Sequence, residues 1–116
     1  MLPKINRLPL RRELIRMKEQ GKRIPGKSLD LVLVPTKPSD LPRLAFIVSA
    51  KIFRKSVERN LMKRRISESI RPILTETKGG FDGLIIVRKE LAAAKQVGIQ
   101  TEIRTMFEKE GLLKGR

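Results

Sequence analysis

Gly83-Leu84-Ile85-Ile86-Val87-Arg88 is a near-continuous apolar run rich in β-branched residues. A run of that length and composition reads as a strand covered on both faces, hence as a central strand. Lys78-Gly79-Gly80 before it is a turn. Upstream, Leu44-Ala45-Phe46-Ile47-Val48-Ser49 and Leu29-Asp30-Leu31-Val32-Leu33-Val34 read as two further strands. Pro35, Pro38, Ser39, Asp40 and Pro42 form a rigid loop between them. These two strands are expected to pair as an antiparallel hairpin.

Three helices surround the strands. Leu10, Leu14 and Met17 make one apolar stripe over residues 10–20, with Pro9 at the start and Gly21 just past the end. Arg12, Arg16 and Glu19 fall off that stripe. Residues 56–71 form the second helix, with Ser56 as N-cap, Glu58 in the first turn and Pro72 as the stop. Met62, Ile66, Ser69, Ile70 and Ile73 share its core side; Asn60, Arg64, Ser67 and Arg71 line the other. Residues 99–110 form the last helix, with Ile99, Ile103, Met106 and Phe107 on one face and Gly111 as its stop. The order α-β-β-α-β-α predicts an α+β fold, a two-layer sandwich with helices packed on a small mixed sheet. The length suits a single domain over residues 1–116, with residues 1–8 and 114–116 as flexible ends.

Charge points to the partner. Lys and Arg total 27 against 12 Asp and Glu, a net charge of +15. Residues 1–28 carry nine basic and two acidic side chains, residues 29–50 two of each, and residues 51–71 eight and two. Two basic blocks flanking a neutral apolar one read as parts of one binding surface. Such an excess repels itself unless a polyanion neutralises it, and nucleic acid does so with release of counterions. A membrane role needs a long basic amphipathic helix with large apolar anchors; the apolar side of 56–71 is better used in a core, so no membrane is expected as partner. No apolar run approaches the ~20 residues of a membrane span, and Met1-Leu2-Pro3-Lys4 lacks a signal-peptide core. The absence of Cys fits a reducing cytoplasm.

The chain is poorly equipped for chemistry of its own. It has no His, Cys or Tyr, its acidic residues are scattered, and it has no glycine-rich phosphate loop. No catalytic and no metal-ligating residue is expected. Of its cations 14 are Arg, which do not deprotonate usefully but grip phosphate oxygens bidentately. Arg59, Lys63 and Arg64 form a dense row near the start of the middle helix, and Asn60 beside them can both donate and accept. Isolated Phe53 reads as a packing residue.

At these residues the chain resembles the bacterial ribonuclease P protein family. That family's helix carries Arg-Asn-Arg, one residue, then Lys-Arg; this chain has Arg59-Asn60-Leu61-Met62-Lys63-Arg64. Asn6-Arg7-Leu8, Gln20-Gly21-Lys22-Arg23, Arg43 to Lys51, Gly80 to Val87 and the Gly-Leu-Leu near the C-terminus extend the resemblance over roughly residues 5–113. It implies the fold of that family and a role as protein subunit of a ribonucleoprotein endonuclease. There a large RNA, using magnesium, removes the 5′ leader of precursor tRNA, and the protein binds that RNA through the helix and the leader in a cleft between that helix and the sheet face. The protein itself holds no cofactor and requires no protein partner. Carried over, the RNA-binding set comprises Arg59, Asn60, Lys63 and Arg64, with Arg12, Arg16, Lys51, Arg54, Lys55 and Arg71 as further cations. Two departures stand out: Leu61 replaces the third signature residue, and Leu14, Lys18 and Val32 stand where the family has aromatics. The competing reading is a structural ribosome-associated RNA-binding protein, which would share charge and fold type.

Overall fold

A computed structural model describes residues 2–114. The elements are α1 (Leu10–Gln20), β1 (Lys22–Ile24), β2 (Leu29–Pro35), β3 (Arg43–Ile47), α2 (Ser56–Leu74), β4 (Phe81–Val87) and α3 (Gln96–Lys109). Short 3-10 turns lie at Lys4–Asn6 and Lys89–Ala93. The four strands form one mixed sheet in the order β1-β2-β4-β3.

The strand at 81–87 is central, as its apolar run requires. It pairs antiparallel with β2, Val32 opposite Leu84, and parallel with β3, Ala45 opposite Leu84. The expected hairpin between β2 and β3 is therefore wrong: β4 lies between them. The reason is apolarity on both faces of β4. Phe81, Ile85 and Val87 join one buried cluster and Leu84 the other, which an edge position would leave half exposed. The proline loop spans the start of β4 and is tied to it. Thr36 N–H donates to Gly80 O at 2.8 Å, and Gly80 N–H to Asp40 O at 2.9 Å. Gly80 sits at φ +95°, a conformation only glycine adopts cheaply.

Helices cover both faces. α2 and α3 pack on the side of Leu31, Leu44 and Ile85, through Met62, Ile66, Ile70, Ile73, Ile99, Ile103 and Phe107. Phe81 and Phe107 meet edge to face, their centroids 6.3 Å apart. Ile66 and Ile70 are wholly buried, each contributing about 1.5–3 kcal/mol. α1 lies on the opposite face, where Met17, Leu10 and Leu14 meet Val32, Val34, Ala45 and Leu84. The layer of α2 and α3 on the sheet is the expected sandwich; α1 adds a partial second cover.

Other boundaries differ for local reasons. Lys55, not Ser56, is the N-cap residue of α2, whose first turn is closed by Glu58 accepting from Lys55 N–H at 3.2 Å. Pro72 does not end α2, which runs to Leu74. Proline orphans only the Glu68 carbonyl, on an exposed face, while buried Ile73 holds the last turn against the core. Strand β1, three residues after Gly21, is too short and too charged to show in the sequence pattern. Gly21 is needed for space: a Cβ there would lie 2.2 Å from Val32 Cγ1 and 2.3 Å from Met17 O. The N-terminal segment is not a loose end. Leu2, Asn6 and Leu8 are buried, Leu8 N–H donates to Leu44 O, and Asn6 Nδ2 donates to Pro42 O. At the other end Lys114 N–H donates to Glu76 O at 2.6 Å; Met1, Gly115 and Arg116 lie outside the described residues.

Candidate nucleic-acid interface

The loop before α2 and the first turns of that helix form one rigid platform. Ile52 and Phe53 N–H groups donate to Ser49 O, and Lys51 N–H donates to Ser49 Oγ at 3.1 Å. Phe53 turns into the core, as a packing residue should. Arg59 reaches back with Nη1 to Phe53 O at 2.8 Å and Arg54 O at 3.0 Å. Arg59 thus clamps the loop, and the clamp leaves Lys51, Arg54 and Lys55 exposed around the helix N-terminus. The dipole of α2 adds positive potential at that end.

Along α2, Asn60, Arg64 and Arg71 are exposed, as the helical spacing predicts. Ser67 is not part of that exposed stripe. It is buried, and its hydroxyl donates to Lys63 O at 3.0 Å. Lys63 is half-buried and faces a groove shared with Arg7, Leu8, Leu10, Ala45 and Phe46. Arg65 turns away from the platform: Nη1 donates to Leu91 O at 3.0 Å and Nη2 to Ala94 O, fastening α2 to the 89–93 turn.

The ion pairs sort the cations into two kinds. Among the described residues, none of the ion pairs uses Lys51, Arg54, Lys55, Arg59, Lys63 or Arg64. Arg16 is of the other kind. Its Nε bonds Glu13 at 2.7 Å and its Nη2 bonds Asp82 at 2.5 Å. Arg43 bonds both oxygens of the same aspartate, at 3.0 and 2.9 Å. Asp82 is 1% exposed. Burial alone would push its carboxyl up, but the N–H bonds from Arg43 and Arg16 outweigh it and hold the group below the usual aspartate range. Asp30 is a second such node. Burial is its largest influence, opposed successfully by Arg23, the Gly26 N–H and Arg88, so it too is held low. Arg16 was expected among the RNA-binding cations; its guanidinium is instead engaged in fixing α1 to the sheet.

Arg12 is exposed on the outer face of α1. Because α1 and α2 lie on opposite sheet faces, folding does not merge the two basic blocks along their length. They meet where Arg7 and Lys63 flank the groove beside β3. A second hollow lies under α1, with Val32, Leu84 and Ile86 as its apolar floor and Lys18 and Arg23 at its rim. Arg7, Lys18 and Arg23 are cations that the sequence reading left out of the RNA-binding set, although Arg7 and Arg23 lie in segments that carry the resemblance and Lys18 stands at one of its departures. No group of three or more His, Cys, Asp or Glu that could hold a metal gathers among the described residues, and no helix is long and apolar enough to cross a membrane.

Comparison with known proteins places this arrangement. A family model described as Ribonuclease P matches residues 2–111. The chain is 31% identical over 117 residues to a ribonuclease P protein component of Microcystis aeruginosa, covering 98% of each chain. It is 37% identical over 87 residues to one from Picosynechococcus, covering 75% of this chain and 74% of the relative. In fold it is similar to a Staphylococcus aureus RNase P protein mutant, with TM-score 0.83, 21% identity, and 95% and 92% of the two chains covered. It is likewise similar to the Thermotoga maritima RNase P protein, with TM-score 0.78, 23% identity, and 89% and 96% covered.

Proposed function

The chain belongs to the ribonuclease P protein family and serves as a protein subunit of that enzyme, and on that premise we propose how it does so: α2 and its preceding loop bind the catalytic RNA. The observation that carries this reading is the set of cations left without acidic partners there, Lys51, Arg54, Lys55, Arg59, Lys63 and Arg64. Asn60 between them reads a base edge or a ribose hydroxyl. Arg12 and Arg71 add long-range attraction from their exposed positions.

The second RNA is precursor tRNA, whose 5′ leader runs in the hollow under α1. Val32, Leu84 and Ile86 offer it an apolar floor and Lys18 offers its phosphates charge. Arg23 at the rim is tied to Asp30 but, its side chain 60% exposed, adds to that charge. This moves the leader from the α2 side of the sheet, as the resemblance first implied, to the α1 side. The two faces then let one small protein touch catalytic RNA and substrate together.

Hydrolysis belongs to the RNA, with magnesium brought by that RNA. The protein offers no His, Cys or Tyr to act as base or nucleophile. Its own contribution is positioning and charge neutralisation, so that fewer free magnesium ions are needed to fold the RNA and hold the substrate. Cleavage of precursor tRNA by the RNA encoded in the same genome tests this. Added protein lowers the magnesium concentration at half-maximal cleavage, and protein alone cleaves nothing. Cleavage unchanged by the protein at low salt and low magnesium refutes the proposal.

A further inference from the structure

Val57, Asn60, Leu61 and Arg64 sit at positions i, i+3, i+4 and i+7 on the outer face of α2, and all four are exposed. At that spacing neighbouring side chains start about 5–6 Å apart, so the four make one patch of nucleotide size. Its centre is aliphatic: Val57 is 74% exposed and Leu61 43%. Scattered exposed aliphatics are ordinary. An adjacent pair bordered by an amide and by guanidinium groups without acidic partners is a different kind of surface.

Charge decides what covers it. Residues 51–71 carry eight basic and two acidic side chains, so a second copy of the chain would meet its own repulsion there. A polyanion is drawn to the same place. Duplex RNA offers phosphates, ribose hydroxyls and base edges but keeps its base faces stacked, whereas an unstacked nucleotide also offers the apolar face of its base. We propose that Val57 and Leu61 receive the face of an unstacked nucleobase of the RNA partner. Asn60 bonds that nucleotide's edge or ribose hydroxyl, and Arg64 grips the adjoining phosphate. This rests on the reading of α2 as an RNA-binding face. Because Leu61 carries no charge, the contact it makes is insensitive to salt.

The test is binding of the ribonuclease P RNA of the same genome, transcribed in vitro, across a potassium chloride series. The double variant Val57→Ser with Leu61→Ser weakens binding by about tenfold, the loss expected of one Leu-sized apolar contact, with an unchanged salt slope and an unchanged Tm. Val57→Ile with Leu61→Met retains wild-type affinity. Leu61→Arg steepens the slope by about 0.7–0.9. Wild-type affinity in the serine double variant overturns the proposal. So does loss of binding to phosphatidylserine vesicles with RNA binding intact, which would give the patch to a membrane surface. Arg64→Ala separates the two levels. If it flattens the slope while the serine variant changes nothing, only the base contact is refuted; if neither changes anything, α2 is not the RNA face.

Discussion

Replacing Asp82 by Asn keeps the shape of a buried side chain and removes its charge. The native carboxylate accepts one bond from Arg16 at 2.5 Å and two from Arg43 at 3.0 and 2.9 Å. Taking one partner out of a fully buried ion pair costs about 3–5 kcal/mol. Here the Arg16 and Arg43 side chains are 29% and 35% exposed, so water recovers part of the loss, leaving about 2–3 kcal/mol. For a chain of this size that is a fall in Tm of about 8–12 °C. The charge also sets a pH signature. The folded carboxyl is held below its unfolded value of about 3.9, so its stabilisation is complete above that pH and is lost as pH falls through the folded value. The gap between wild type and Asp82→Asn therefore closes as pH is lowered below about 4. Asp30 titrates alike in both proteins and cancels from the difference. Urea unfolding followed by circular dichroism from pH 7 to pH 3 measures it. A gap under about 0.5 kcal/mol at pH 7, or a gap constant across the range, refutes the assignment of Arg16 to structure.

Three further outcomes are expected. If about five to seven cations meet phosphates, log K against log salt has a slope near −4 to −6, and Arg64→Ala flattens it by about 0.7–0.9 while leaving Tm unchanged, as filter binding and melting curves together show. Arg65→Ala does the reverse: it frees the Leu91 and Ala94 carbonyls and costs about 2–3 kcal/mol of stability, with the salt slope intact. Ile66→Asp places a charge at a fully buried position, and the cooperative unfolding transition disappears from circular dichroism.

Much of the fold was legible because it is written in short-range periodicity. Helix α1 at Leu10–Gln20 and the core side of α2 follow directly from apolar spacing. Strand order is another matter. A loop rich in proline between two strands looks local, and nothing in residues 29–49 announces that Phe81–Val87 will come between them. The candidate interface divides the same way. Helical spacing put Asn60, Arg64 and Arg71 on one exposed side. It could not reveal that Arg16 is taken by Asp82, because the partner lies 66 residues away. Ser67 was misjudged in a subtler manner: it is buried and bonds the Lys63 carbonyl of its own helix, and Arg59 likewise bonds nearby carbonyls, choices that charge counting does not see.

The late arrival of β4 governs how the chain is made. Until Phe81–Val87 leaves the ribosome, β2 can pair only with three-residue β1 and β3 has no strand to pair with, although the basic helix is already complete. A nascent polypeptide whose first 80 or so residues have emerged therefore presents naked strand edges beside a strongly cationic segment, on a particle built largely of RNA. The sheet closes only through pairing of distant segments, which slows closure. The interval between synthesis of α2 and insertion of the central strand is thus the time when this protein is most open to aggregation and to premature capture by the wrong polyanion.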